Sequence, residues 1–162
     1  LVADGSGVEH RRGHQLHEHV LQLLLVADGS GTAAGTNFTT MFYNCSSLQT
    51  VPALNTAAGT NFTNMFQSCT SLQTVPALNT ANGTNFSGMF QNCYSLQQSD
   101  ITGTKYTISY ASANLSAAAL NNIYTKLGTA AGAQTITVTS NWGTAGDDPS
   151  IATAKGWTVV GS

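Results

Sequence analysis

Apolar positions recur along this chain in a phrase written three times. Phe38, Met41, Phe42, Cys45 and Leu48 return as Phe62, Met65, Phe66, Cys69 and Leu72, and again as Phe86, Met89, Phe90, Cys93 and Leu96. The offset, from 38 to 62 to 86, is 24 residues each time. Inside a copy the apolar positions fall at i, i+3, i+4 and i+7, which predicts a short helix of about two turns with one apolar face. In the middle copy Asn61 or Thr60 can cap that helix, with Gly59 just upstream allowing the turn. Leu72 and Val75 then precede Pro76, and Leu78 follows. Proline lacks a backbone donor and disfavours helix, so this half is expected to be extended. Asn79 to Gly83 reads as the turn that returns the chain.

A unit this short cannot close a core alone and buries its apolar face only against the next copy. The expected fold is therefore an α/β solenoid: a stack of short helix plus short strand with a 24-residue period and a parallel sheet. The chain divides into an atypical segment at 1–31, three repeats at 32–99 and degenerate, capping repeats at 100–162.

In the last part the spacing changes and larger elements are expected. Tyr106 to Tyr110 alternates like a strand. Residues 116–127 predict the longest helix, with Ser116 as N-cap, a stripe of Ala119, Leu120, Ile123, Tyr124 and Leu127, and Gly128 at its end. Thr135 to Thr139 predicts a strand with Ile136 and Val138 inward. A second helix is expected from Asp148 (N-cap) and Pro149 to Gly156, then a strand from Trp157 to Val160.

Within residues 1–31, LVADGSG occurs at 1–7 and again at 25–31, which is the repeat spacing, yet the stretch between them shares no residue pattern with the rest of the chain. Suitable codons for this segment, read one nucleotide later, also spell SLQTVPALNTAAGTNFTNMFYNCSSLQTVPA. Glu9-His10 permits an Asn codon, His19-Val20 a Met codon and Leu23-Leu24 a Cys codon. The segment is read as repeat DNA translated out of frame, with Val20–Val26 able to pack as an improvised cap; codons incompatible with that second reading would refute it. On a helix His10, His14 and His17 would share a face, and with His19 and Glu18 they resemble a metal cluster. The shifted frame produces these histidines by arithmetic, so no metal site is assigned to them, and no cofactor is expected.

Charged residues make up 7% of the chain and the net charge is −2. Between Thr32 and Ser99 there is no Asp, Glu, Lys, Arg or His. Nucleic acid requires clustered cations, and anionic membrane surfaces require them too; neither partner is expected. Val20–Val26 is too short to span a bilayer. A surface of Thr, Asn, Ser and Gln suits hydrogen bonding to sugars or other uncharged polymers. The three cysteines occupy one repeat position. Neighbouring rungs lie close enough for a disulfide, but an odd count in identical roles points to a ladder of buried thiols.

The phrases MFYNC-SSL, MFQSC-TSL and MFQNC-YSL, with LQTVPAL segments, resemble the BspA-type bacterial surface variant of leucine-rich repeats. The resemblance implies a solenoid with a parallel sheet on one side. It also implies a bacterial surface adhesin or a phage tail-fibre protein, placed outside the cell or on a virion. Two departures are the near absence of charge and the almost verbatim copying.

No nucleophile here has a plausible base and no glycine loop would cradle phosphate, so no enzyme activity is expected. The function expected is recognition of a host-surface glycan or protein, or of neighbouring fibre subunits, through the neutral face. Candidate contacts are Asn61, Gln67, Asn85, Gln91 and Trp142. The alternative is a structural spacer or self-assembling repeat. Ranks such as Thr36/Thr60/Thr84 and Thr50/Thr74 raise a third idea, ice or polysaccharide-crystal binding. Asp148 and Asp147 are adjacent carboxylates, read as helix cap and dipole partner respectively.

Overall fold

The computed structural model describes Thr32 and residues 34–162. Readings that fall on residues 1–31, the Val20–Val26 cap and the histidines among them, lie outside the described residues. From residue 34 to 99, successive copies lie on one another in parallel register. Single parallel bridges join Asn37 to Asn61, Asn61 to Asn85 and Thr50 to Thr74. Strand β1 (Thr74–Val75) pairs in parallel with β2 (Gln98–Ser99), Thr74 opposite Gln98 and Val75 opposite Ser99. Each step is one repeat long, so equivalent residues stack.

The rings show this most clearly. Phe38, Phe62 and Phe86 stack with centroids 5.4 and 5.3 Å apart. Phe42, Phe66 and Phe90 do the same at 5.4 and 5.6 Å. These distances slightly exceed the strand spacing of about 4.8 Å, so the rings are offset, the arrangement their quadrupoles favour. Phe62, Met65, Phe66, Cys69 and Leu72 are fully buried. Each such side chain contributes about 1.5–3 kcal/mol of transfer free energy, and it does so only because a neighbouring copy covers it.

The expected helix in each copy is replaced by two tight turns. Between residues 34 and 99 no helix forms. The Met65 N–H donates to the Phe62 carbonyl and the Cys69 N–H to the Phe66 carbonyl, at 3.2 and 3.1 Å. Alternate donors leave the copy: Phe62, Asn64, Phe66 and Ser68 donate to the carbonyls of Asn85, Ser87, Met89 and Gln91 at 2.8–3.0 Å. A helix would keep those N–H groups for itself. Asn64 and Ser68 take positive φ, 54° and 62°, as do Thr40 and Asn44 before them and Gly88 and Asn92 after. Two four-residue turns, each with a left-handed third residue, place i, i+3, i+4 and i+7 inward as a helix would. The periodicity was shared by both solutions, and the hydrogen bonds between copies favour the turns.

Beyond Ser99 the coils widen and regular elements appear. Strand β3 (Ile108–Ser109) pairs in parallel with β4 (Gln134–Thr137), and β4 with β5 (Trp157–Val160). Helix α1 (Ala117–Lys126) lies between β3 and β4; Ser116 caps it by accepting the Ala119 N–H at 3.1 Å, and Leu120, Ile123 and Tyr124 face inward. A 3-10 turn (Trp142–Ala145) and a four-residue helix α2 (Ser150–Thr153) complete the order. Helix α2 starts later than expected: Pro149 is its N-cap, and the Asp148 carboxylate accepts the Ser150 N–H at 3.1 Å without being the cap residue.

One corner runs through every coil. Asn44, Ser68, Asn92, Ser112 and Ser140 all have φ between 59° and 63°. Two residues before four of them, all but Asn92, the N–H of Phe42, Phe66, Tyr110 and Val138 donates to the next coil's Met65, Met89, Thr137 and Val160 carbonyls. Tyr110 continues the phenylalanine column, its ring 4.8 Å from Phe90. The ring column thus runs on from the third copy into the C-terminal part, where the Asn114 N–H also donates to the Leu96 carbonyl at 2.9 Å.

Candidate recognition surface

Each coil turns its apolar residues in and leaves four rows outside, and the rows differ in how far their polar atoms are already used. In the asparagine row, Asn61 Oδ1 accepts the Thr63 N–H at 3.1 Å and the Thr63 hydroxyl at 2.7 Å. Asn85 and Asn37 accept the backbone N–H of Ser87 and Thr39 in the same way. These side chains start the tight turns, as Asx turns do; Asn61 is half-buried and Asn85 exposed. In the glutamine row, Gln67 Nε2 donates to Gln91 Oε1 at 3.0 Å, an amide ladder that leaves a donor and an acceptor at its ends. In the threonine row, the Thr60 hydroxyl donates to the Thr36 carbonyl and that of Thr84 to the Thr60 carbonyl, at 3.1 and 3.2 Å. The fourth row follows the left-handed corner and ends in Trp142, the most exposed large apolar residue among the described residues at 68%. Asn61 with Asn85, and Gln67 with Gln91, are therefore brought together; Trp142 stands in the last coil, on the corner that also carries Gln91.

The interior is polar in one narrow file that sequence reading missed. Thr32, Thr56, Thr80 and Thr104 are buried at one register. Asn55 N–H donates to Thr32 Oγ1, Thr56 Oγ1 donates to the Asn79 carbonyl, and Thr80 Oγ1 meets Thr104 Oγ1 at 2.7 Å. Their repeat spacing was the available signal. Asn141 is buried too: its amide donates to the Tyr110 and Val138 carbonyls at 2.9 and 2.8 Å and accepts the Leu115 N–H at 3.0 Å.

Cys45, Cys69 and Cys93 are free and buried. Cys69 Sγ donates to the Phe42 carbonyl at 2.9 Å and Cys93 Sγ to the Phe66 carbonyl at 3.1 Å, each reaching the preceding coil. Asn141 does this from the equivalent corner position in the last coil. Burial pushes the Cys93 thiol up to about 12. The thiols are thus small interior donors.

The adjacent carboxylates separate in role. Asp148 holds the start of α2, while Asp147 accepts the Tyr124 hydroxyl at 2.6 Å and so is also a hydrogen-bond partner of α1. Burial, helped by Asp147, raises the Tyr124 hydroxyl well above the usual phenol range. Asp100 pairs with Lys126 and accepts from Asn122 and Gln98, which holds its carboxyl below the usual range. Among the described residues, no three His, Cys, Asp or Glu are grouped as a metal ion would need, and no helix is long and apolar enough to cross a membrane.

Residues 30–124 match the family described as Mycoplasma protein of unknown function, DUF285. The match spans more than half of the chain, and the chain belongs to that family. No curated protein and no solved structure matches it.

Proposed function

We propose that this member of the DUF285 family is a non-enzymatic recognition module of BspA-like, leucine-rich-repeat type, a solenoid displayed on a bacterial surface or in a phage tail fibre. It contacts a host-surface glycan or protein through its neutral face. The observation that carries the reading is the pairing of a mostly apolar interior, whose few buried polar side chains are uncharged, with an outer face on which residues 34–99 hold no ionisable acid or base except the phenols of Tyr43 and Tyr94 and the buried thiols. Amides and hydroxyls on a rigid, repeating backbone present donors and acceptors at fixed spacing, which suits an uncharged repeating partner.

The test is binding of the full chain to a glycan array and to intact cells. Binding is expected to fall when Gln67 and Gln91 are both replaced by Ala and to be unchanged by Lys105→Ala. Absence of any glycan or cell-surface binding would contradict the proposal. A second reading, a self-assembling spacer, draws on β5, the edge of its sheet, where Val160 is 41% exposed. Filaments that grow with concentration and without ligand would favour it.

A further inference from the structure

The residue two places after the left-handed corner is the same position in five coils: Ser46, Thr70, Tyr94, Asn114 and Trp142. Hydrogen bonds join two pairs of its neighbours. Thr70 Oγ1 donates to the Ser46 carbonyl at 3.4 Å, and Trp142 Nε1 to the Asn114 carbonyl at 3.3 Å. Between the third and fourth coils the Asn114 N–H donates to the Leu96 carbonyl, two residues past Tyr94, at 2.9 Å. In the first two coils the position is a small hydroxyl residue. In the third and fifth it is a large ring, exposed by 55% at Tyr94 and 68% at Trp142.

Both rings are tied down by their polar atoms. The Tyr94 hydroxyl donates to Asn92 Oδ1 at 2.8 Å and the Trp142 indole N–H to the neighbouring coil. A large exposed ring fixed in this way loses little further freedom on binding, and what remains is its π face. Two coil steps separate the rings, about 10 Å at strand spacing. That is a distance alternate rings of an extended sugar polymer span. Between them stands Asn114, an exposed amide able to reach a sugar hydroxyl. The C–H face of a pyranose is apolar and weakly positive, and it lies flat on an aromatic ring. An anionic polymer would find no cation in the copies that lead up to Tyr94.

We infer that the Tyr94–Asn114–Trp142 ridge binds a neutral, extended polysaccharide of β-linked pyranoses, which lies along the stack with two of its rings on the two aromatic side chains. The inference rests on the recognition reading above and names the ligand class and the place.

The experiment titrates cellohexaose and chitohexaose into the full chain and follows tryptophan fluorescence and heat. Trp142 is exposed and Trp157 buried, so the spectral change reports on the ridge. A change that saturates with either sugar is expected, with affinity falling about tenfold or more in Tyr94→Ala and in Trp142→Ala, and unchanged in Lys105→Ala. Unaltered thermal unfolding of the two variants shows that the loss is not one of folding. Sugar binding that persists in the double variant overturns the ridge and leaves the recognition reading standing. Failure of both hexasaccharides while other array glycans bind also overturns the ridge alone; failure of every glycan and cell surface overturns both.

Discussion

A methyl group on Gly83 would sit 2.4 Å from the Phe86 ring and 3.0 Å from that of Phe62, and one on Gly59 would sit 2.5 Å from the ring of Phe62. These glycines do not take positive φ; they are small because stacked rings pass over them. Gly83→Ala is therefore expected to cost about 1–3 kcal/mol, the usual range for overpacking a rigid core, measurable as a lower urea midpoint. Gly59 also closes the turn expected of it, its N–H donating to the Thr56 carbonyl at 2.8 Å. The left-handed positions tell the opposite story. Thr40, Asn64 and Gly88 share one such site, with φ of 55°, 54° and 65°. A β-branched residue is the least suited to it, so Thr40→Asn is expected to stabilise by about 0.5–1 kcal/mol, seen as a higher thermal midpoint. The series Thr, Asn, Gly at one repeat position, and Asn, Ser, Asn at the next, was the visible sign of turns rather than helix. Periodicity alone hid it, because both conformations turn the same side chains inward.

At the scale of the element, the parts that folded as expected were those with enough local contacts to decide for themselves. Helix α1 has a side-chain N-cap and a full apolar stripe, and its span was legible to within a residue. Its far end depends on a residue distant in the chain: Lys155 Nζ donates to the carbonyls of Tyr124, Thr125 and Leu127. These are carbonyls a helix end leaves without partners, and a cation there also complements the dipole. Lys155→Met is expected to lower stability by about 1–2 kcal/mol, with hydrogen exchange accelerated first at Ile123 to Leu127. No local rule could have pointed to Lys155, which reaches α1 only because the next coil lies against it. The cysteine ladder belongs to this scale too. Unfolded thiols ionise near pH 9, whereas Cys93 in the fold is pushed up to about 12 by burial. Above pH 9 the unfolded chain therefore holds fewer protons than the native one, and stability must fall as pH rises. The buried Tyr110 and Tyr124 hydroxyls, also raised, act in the same direction. Urea midpoints measured at pH 8 and pH 10 should show the loss, and Cys93→Ala should make it shallower; an unchanged midpoint would contradict the burial of the thiol.

For the whole molecule, the sequence disclosed the spacing and the inward set, since a phrase repeated at constant offset leaves its apolar residues no partner but one another. It did not disclose how the C-terminal part attaches. Tyr110 replaces a phenylalanine in the ring column and Asn141 replaces a cysteine at the corner, substitutions that conserve a contact and not a letter. The neutral face was legible as composition, whereas the place of Tyr94 in one file with Trp142 was not, because the two fall at the same position only once the corners are aligned. All of this depends on consecutive copies lying in register, one coil apart. Gln49 and Gln73 are exposed, and the Gln73 N–H donates to the Gln49 carbonyl at 2.8 Å. Spin labels placed at Gln49→Cys and Gln73→Cys, with the native thiols protected by burial, measure that relation directly. The stacked arrangement puts the labelled positions about 5 Å apart and predicts strong dipolar broadening in the full chain, lost on unfolding in urea. A folded chain whose double-labelled spectrum equals the sum of the two single-labelled spectra would contradict it.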